Sequence, residues 1–365
     1  IEIALVRVCK GRAEGLDAGF DLLQEFFFPV RQLRALAARS KISSLAQLAQ
    51  GFSFLFLVNF AWHAAQENNW PGAERKPCAF SLGQQGGEKR LVESIETQCC
   101  IAGGGPAGIM LGYLLARQGV DVTVLEKHGD FLRDFRGDTV HPSTMQVLHE
   151  LGLLEAFLQL PHQKTERIGV NFNGKPYQMV DFTHLPTEAK YIAFMPQWNF
   201  LDFLAEEARK MPNFHLMMST RADKLIGSRG KIMGIRASGP NGEYRIRAPL
   251  TVACDGRGSA MRDAARLKLV DKGAPIDVLW FSVPRNEGDG DEQSFGYVAP
   301  GGFLVTINRG SYWQCAFLIE KGGDAAVREA GIEAFREKVG ALAPLLKDRL
   351  DAVTSFDDVK LLNVQ

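Results

Sequence analysis

An excess of charge of either sign is absent from this sequence: 42 basic and 42 acidic residues leave a formal net charge of zero. Without a basic excess there is no field to hold nucleic acid or an anionic membrane surface, and neither is expected as a partner. Cysteine is sparse as well. Six in 365 residues do not frame a disulfide-stapled fold, and no C-x-x-C pair is present for zinc or redox work. The adjacent Cys99 and Cys100 read as buried hydrophobes, and a reducing, cytoplasmic location is expected. Long apolar runs are also missing. The strongest, Phe52 to Trp62, is too short to span a bilayer, and no convincing signal peptide opens the chain. The chain starts at Ile1 and stops at Gln365, and it reads as a fragment. His141, His149, His162, His184 and His215 lie scattered without ligand spacing, so no metal is expected. No catalytic triad or paired carboxylate stands out either.

What is present is a glycine turn. In the stretch Cys99 to Met110, a short apolar strand enters Gly103-Gly104-Gly105-Pro106-Ala107-Gly108, and a helical segment, Ile109 to Gln118, leaves it. Gly103, Gly105 and Gly108 stand at G-x-G-x-x-G spacing. The first permits the tight turn, the second lets the backbone approach a pyrophosphate, and the third lets helix and strand pack closely. The helix N-terminus offers free N–H groups and the positive end of its dipole to the phosphates. A second strand, Asp121 to Leu125, ends in Glu126, about 20 residues beyond the turn, where a carboxylate accepts from ribose hydroxyls. The acid is not something packing needs. An adenine dinucleotide site is expected, with Pro106 and Ala107 inside the turn and Lys127 beside the acid counted with it.

The rest of the chain divides unevenly. Residues 1–96 differ in character from the remainder: Val30 to Gln50 has helical spacing, and Asn68 to Glu96 reads as linker. A partner-binding or membrane-surface helix is one reading of this region; an extension without chemistry is the other. After Glu126 a polar segment leads to a helix over 143–151. Strands over 166–173 and 175–182 flank an Asn173-Gly174 turn, a hairpin signal. A strand at 191–195, a helix over 198–210, and strands at 214–218, 231–237, 244–247 and 250–254 come next. Strands over 276–283, 294–298, 303–308 and 312–319 read as a largely antiparallel sheet. Residues 329–349 read as helical and 359–364 as a last strand. A simple nicotinamide dehydrogenase would instead continue its β-α alternation. Within the sheet, Trp280, Phe281, Phe303, Thr306, Arg309 and Trp313 are either substrate-facing or core.

A second constellation is Cys254-Asp255-Gly256-Arg257-Gly258-Ser259-Ala260-Met261-Arg262, a strand end running into a helix. Alone it reads more readily as a capped surface turn than as a ligand site. Together with Gly103-x-Gly105-x-x-Gly108 and Glu126, Arg136-Gly137-Asp138 before a helix, and Pro196-Gln197 before another, it resembles the class A flavoprotein monooxygenases, the para-hydroxybenzoate hydroxylase-like aromatic hydroxylases. The resemblance covers residues from about 98 to the end.

The resemblance implies an α/β fold: a glutathione-reductase-like, Rossmann-type FAD-binding domain interrupted by a largely antiparallel substrate domain. Residues 97–170 and 191–270 would form the FAD domain. Residues 171–190 and 271–355 would form the substrate domain, and 356–365 the start of a strand returning to the first. The glycines would hold the FAD pyrophosphate, Glu126 the adenosine ribose and Arg136 the cofactor from the loop after the second strand. Gln197 would lie near the ribityl chain, with Asp255 and Gly256 beside FAD. In the family NAD(P)H reduces the flavin, dioxygen adds at C4a, and the resulting hydroperoxide hydroxylates an aromatic or polyketide-like substrate. The third family motif, Gly-Asp before a helix, would fall beyond Gln365. A halogenase or prenyl reductase of the same fold, or an incomplete non-catalytic nucleotide-binding fragment, are the alternatives. The W-x-W-x-I-P segment expected of a halogenase does not occur in the chain.

Overall fold

The computed structural model describes residues 4–5, 80–82, 91–132, 139–228, 230–270, 273–289, 294–300 and 302–364. The helix expected over 30–50, the apolar run at 52–62 and the Arg136 loop lie outside the described residues. Two compact units emerge: Ile1–Phe131 with Leu201–Lys268, and Leu132–Phe200 with Leu269–Gln365.

The first unit is built on a five-stranded sheet. Leu250–Ala253, Cys99–Ala102, Val122–Leu125 and Phe214–Met217 lie parallel in that order, with Ala4–Leu5 antiparallel at the edge. Its three leading parallel strands are buried almost throughout and apolar but for Thr123 and Thr251, as expected of strands covered on both faces. Helix Pro106–Arg117 packs on it so closely that a methyl group at Gly112 would lie 2.8 Å from Phe214 and from Val124. A second sheet runs Arg221–Ser228, Lys231–Gly239, Gly242–Arg247, Leu91–Glu96 and Phe80–Leu82. Cys100, Ala102, Leu125 and Ala253 share a core with its Ile235, Ala237, Tyr244 and Ile246. Leu91–Glu96, read from the sequence as the end of a linker, is therefore a paired strand of this unit.

The second unit is built on a seven-stranded sheet, in the order Lys360–Leu362, Ile276–Pro284, Tyr312–Glu320, Gly302–Asn308, Ser294–Ala299, Arg167–Phe172 and Lys175–Asp181. All its pairings are antiparallel except Ser294–Ala299 with Arg167–Phe172. The boundary expected at residue 170 thus falls inside a strand. Asn173 and Gly174, at φ +50° and +83°, make the anticipated hairpin turn. One sheet face is covered by helix Ile332–Leu342 and the 3₁₀ segment Pro344–Ala352. Phe335 sits edge-on to Phe281 and Phe317 at 5.3 and 5.7 Å between ring centres. The single helix expected over 329–349 is broken, because Gly331 at φ +91° and Pro344 interrupt it.

Two carboxylates brace this unit. Asp277 accepts from Gly322 N–H at 2.9 Å, Lys321 Nζ at 2.9 Å and Val364 N–H at 3.0 Å. Those bonds, the Gly322 N–H first, lower its pKa to about 2. Asp289 accepts from the Trp313 indole at 2.8 Å and pairs with Arg349, both charged side chains being almost fully buried. Burial alone would raise the Asp289 pKa; the donors outweigh it and hold it low.

Candidate cofactor site

The glycine turn closes on the second motif. Gly103 has φ +102°, and a methyl group there would lie 2.2 Å from the Cys254 carbonyl oxygen. Only glycine lets strand Cys99–Ala102 end this close to the Cys254-Asp255 backbone. Gly108 is equally confined: a methyl group there would lie 1.9 Å from Gly103 O. Gly105 differs. Nothing lies within 4 Å of the position its side chain would take. It is the N-cap of helix Pro106–Arg117, where no side chain caps the helix and no acid sits in the first turn. Pro106 supplies the first helical residue without a donor, and Ala107 and Gly108 come after it with theirs. An open glycine before an uncapped helix start is a place for an anion.

Glu126 is 7% exposed and held from both sides. Its Oε2 accepts from Gly104 N–H at 2.9 Å and its Oε1 from His128 N–H at 3.0 Å. A carboxylate has further lone pairs for ribose hydroxyls, and its position is fixed before any ligand arrives. Lys127 beside it is exposed. Gly104, a variable position in the motif, proves to be part of the site, since a methyl group there would meet Glu126 Cβ at 2.7 Å. The run of three glycines was the signal that could have found it. The glycine cradle, the uncapped helix and the fixed acid fit an adenine dinucleotide.

Asp255 is turned into its own chain. Ser259 Oγ donates to its Oδ1, Met261 N–H donates to its Oδ2 at 3.1 Å, and Arg262 N–H donates to Ser259 Oγ at 2.9 Å. The carboxylate starts helix Ala260–Ala264, the capping role that the sequence also allowed. Gly256 has φ +82° with open space around it. Cys254 is buried and its thiol is pushed up to about 12, by burial first and then by the Asp255 charge. It stays a protonated packing group, as do Cys99 and Cys100, whose pKa values burial raises further.

The structure brings together Gly103, Gly105, Pro106, Ala107, Gly108, Glu126, Asp255 and Gly256 in the first unit. Gln197 opens helix Gln197–Arg209 and falls within the second unit, where it is half-buried. His141 also belongs to the second unit, preceding helix Pro142–Glu150, and partial burial lowers its pKa. Among the described residues no three His, Cys, Asp or Glu side chains group as a metal site, and no helix is long and apolar enough to cross a membrane.

The six aromatic-sheet candidates separate by strand alternation. Phe281 and Trp313 belong to the core under helix Ile332–Leu342, which decides between their two readings in favour of core. Thr306 sits opposite Cys315 on that same face, 1% exposed. Trp280 and Phe303 lie on the other face. Arg309 comes directly after that strand, its Nε donating to Gln314 Oε1 at 2.7 Å and its guanidinium stacked over Phe194.

The sequence profile of the FAD binding domain family matches residues 96–363. The chain is 28% identical over 290 residues to 6-methylpretetramide 4-monooxygenase of Streptomyces rimosus, which covers 74% of this chain and 65% of that protein. It thus spans less than two thirds of the length of this curated relative. In fold it is similar to PqsL, a probable FAD-dependent monooxygenase from Pseudomonas aeruginosa, with a TM-score of 0.60, 19% identity, and 74% of this chain and 73% of that one covered. It is also similar to the myxobacterial chondrochloren halogenase CndH, with a TM-score of 0.61, 16% identity, and 74% and 64% covered. These two likenesses show the fold alone, and the fold is shared by different chemistries. The glycine cradle, the fixed acid and the profile agree: the chain belongs to the FAD binding domain family.

Proposed function

We propose that this chain serves an NAD(P)H-dependent monooxygenase that places one oxygen atom of dioxygen on an aromatic or polyketide-like small molecule in the cytoplasm. The observation that carries the reading is one chain holding both a dinucleotide cradle and an antiparallel sheet with an aromatic-bearing face away from its helices. The curated relative, a named monooxygenase, supports hydroxylation over the halogenase and reductase alternatives.

FAD, when bound, would supply the redox chemistry: acceptance of two electrons from NAD(P)H and, once reduced, reaction with dioxygen. The chain's own residues bind and orient. Gly105, with the N–H groups of Ala107 and Gly108, holds the pyrophosphate, and Glu126 accepts from the ribose. The resemblance assigns Arg136 to the cofactor, a guanidinium being able to match two phosphate oxygens at once, and Lys127, exposed beside Glu126, is counted with the ribose side of the site. Asp255 holds the backbone at Gly256 for the cofactor; Gln197, which the resemblance assigns to the ribityl chain, carries both an amide donor and an acceptor. The sheet unit positions the ring and keeps water from it. No acid or base is assigned a proton-transfer step.

The test is oxidation of NADH and NADPH by FAD-loaded protein in the presence of a panel of phenols. Oxidation stimulated by a phenol, with a product heavier by one oxygen, is expected. Stimulation that requires halide and yields a halogenated product would overturn the reading in favour of the halogenase.

A further inference from the structure

Three non-glycine residues among those described have left-handed backbone: Asn173 at φ +50°, Ser219 at +52° and Arg266 at +57°. Asn173 lies in a hairpin turn, where asparagine is common in that conformation, and Arg266 follows the short helix Ala260–Ala264. Ser219 has neither reason. It stands just beyond strand Phe214–Met217, at the carboxyl end of the parallel sheet, where ligands of such sheets collect. A left-handed serine is costly and persists only where its surroundings hold it.

Those surroundings are the segment that carries the acid of the glycine-turn site. Ser219 N–H donates to His128 O at 2.7 Å, and Thr220 N–H donates to Glu126 O at 2.7 Å. Glu126 N–H in turn donates to Met217 O at 2.9 Å. The His128 backbone is thereby gripped at both ends, its carbonyl by Ser219 and its N–H by Glu126 Oε1 at 3.0 Å. Thr220 is 1% exposed and its Oγ1 donates to Met218 O at 3.0 Å, which fixes the base of the turn. Ser219 itself is exposed, and its hydroxyl takes no part in these bonds. What reaches the acid is the direction of the Ser219 N–H, and the left-handed φ sets that direction.

We propose that Ser219 is a positioning residue for the dinucleotide. Its turn aims the N–H at His128 O, which keeps the His128 N–H on the carboxylate and presets Glu126 for the hydroxyls of the adenosine ribose. An acceptor already held in place loses little freedom when a ligand arrives, and that saving appears as affinity for the sugar diol. The inference rests on the placement of the ribose at Glu126 and adds the residue that prepares this acid from the neighbouring strand.

The experiment has ADP and 2′,3′-dideoxy-ADP compete with FAD for the full chain, followed by flavin fluorescence, in wild type, Ser219→Thr and Ser219→Gly. Threonine keeps the hydroxyl and, being β-branched, is driven out of the left-handed region; glycine loses the hydroxyl and enters that region freely. The wild type is expected to prefer ADP by about tenfold, in keeping with a hydrogen bond to a charged group. Ser219→Thr should cut the preference to about threefold by weakening ADP alone, and Ser219→Gly should keep it within about twofold of wild type. An unchanged preference in Ser219→Thr, equal weakening of both nucleotides, or loss of the preference in Ser219→Gly would overturn the inference. Should Ser219→Thr not fold, Ser219→Gly alone decides: a kept preference supports the inference and a lost one overturns it. Absence of FAD binding, or a wild type that takes both nucleotides equally, would instead strike the placement of the ribose at Glu126, and the inference with it.

Discussion

In the first unit the residues proposed to hold the cofactor lie within two short stretches, 103–126 and 254–262; in the second each face is assembled from seven strands. The difference is one of locality. A glycine that must tolerate φ +102° against a neighbouring carbonyl leaves its mark at one position and fixed spacing. A substrate face depends on which residues of distant strands come into register, and a slip of one residue would turn Trp280 away and Phe281 outward. The same contrast runs through stability. The first unit depends on what is missing, a side chain at Gly103 and Gly108. The second depends on charges that are present, Asp289 with Arg349 and Asp277 with Lys321.

The sharpest way to break this comparison is Gly103→Ala. The added methyl would fall on the Cys254 carbonyl at 2.2 Å, with backbone on both sides and nowhere to move. A loss of about 3 kcal/mol or more is expected, seen as insoluble protein or a collapse of the thermal midpoint. A midpoint within a degree or two of wild type would show that the turn is not closed as described.

Arg349→Met is the counterpart in the second unit. It leaves Asp289 buried with its charge and without its cation, and a destabilisation of about 3 kcal/mol is expected in urea unfolding. Replacing Asp289 and Arg349 together by apolar residues should recover part of that loss. Equal destabilisation by the single and double changes would mean that the loss comes from the pair itself and not from the stranded Asp289 charge.

The smallest effect is expected in acid. The Asp277 pKa is lowered to about 2, so its bonds stabilise the fold fully above its ordinary unfolded value. That stabilisation is lost as pH falls from ~4 towards 2. Asp277→Asn should flatten this part of the stability–pH curve. An unchanged curve would move the acid sensitivity to other carboxylates.

The same contrast decides how much of the molecule is legible in its sequence. The β-α-β unit, the Asn173-Gly174 hairpin and the antiparallel character of the later strands can be read because turn glycines and alternation act locally. Gly104 escapes notice because the motif leaves its position variable, although its N–H fixes Glu126. Strand Arg221–Ser228 is missed, since its half-exposed polar pattern carries weak alternation. The capping role of Asp255 cannot be decided from a strand end and a helix start alone. Phe281 and Trp280 are adjacent in sequence, and only the sheet's register says which one meets the helix.

The most direct measurement is a titration of FAD into the wild-type protein and into Gly105→Ala, with thermal midpoints taken before FAD is added. Because nothing lies within 4 Å of the added methyl, the ligand-free midpoints are expected to coincide. The methyl would occupy the path by which the backbone approaches the pyrophosphate, and FAD affinity should fall by roughly tenfold or more, about 1.4 kcal/mol. Equal FAD affinity in the two proteins would contradict the placement of the cofactor at this turn.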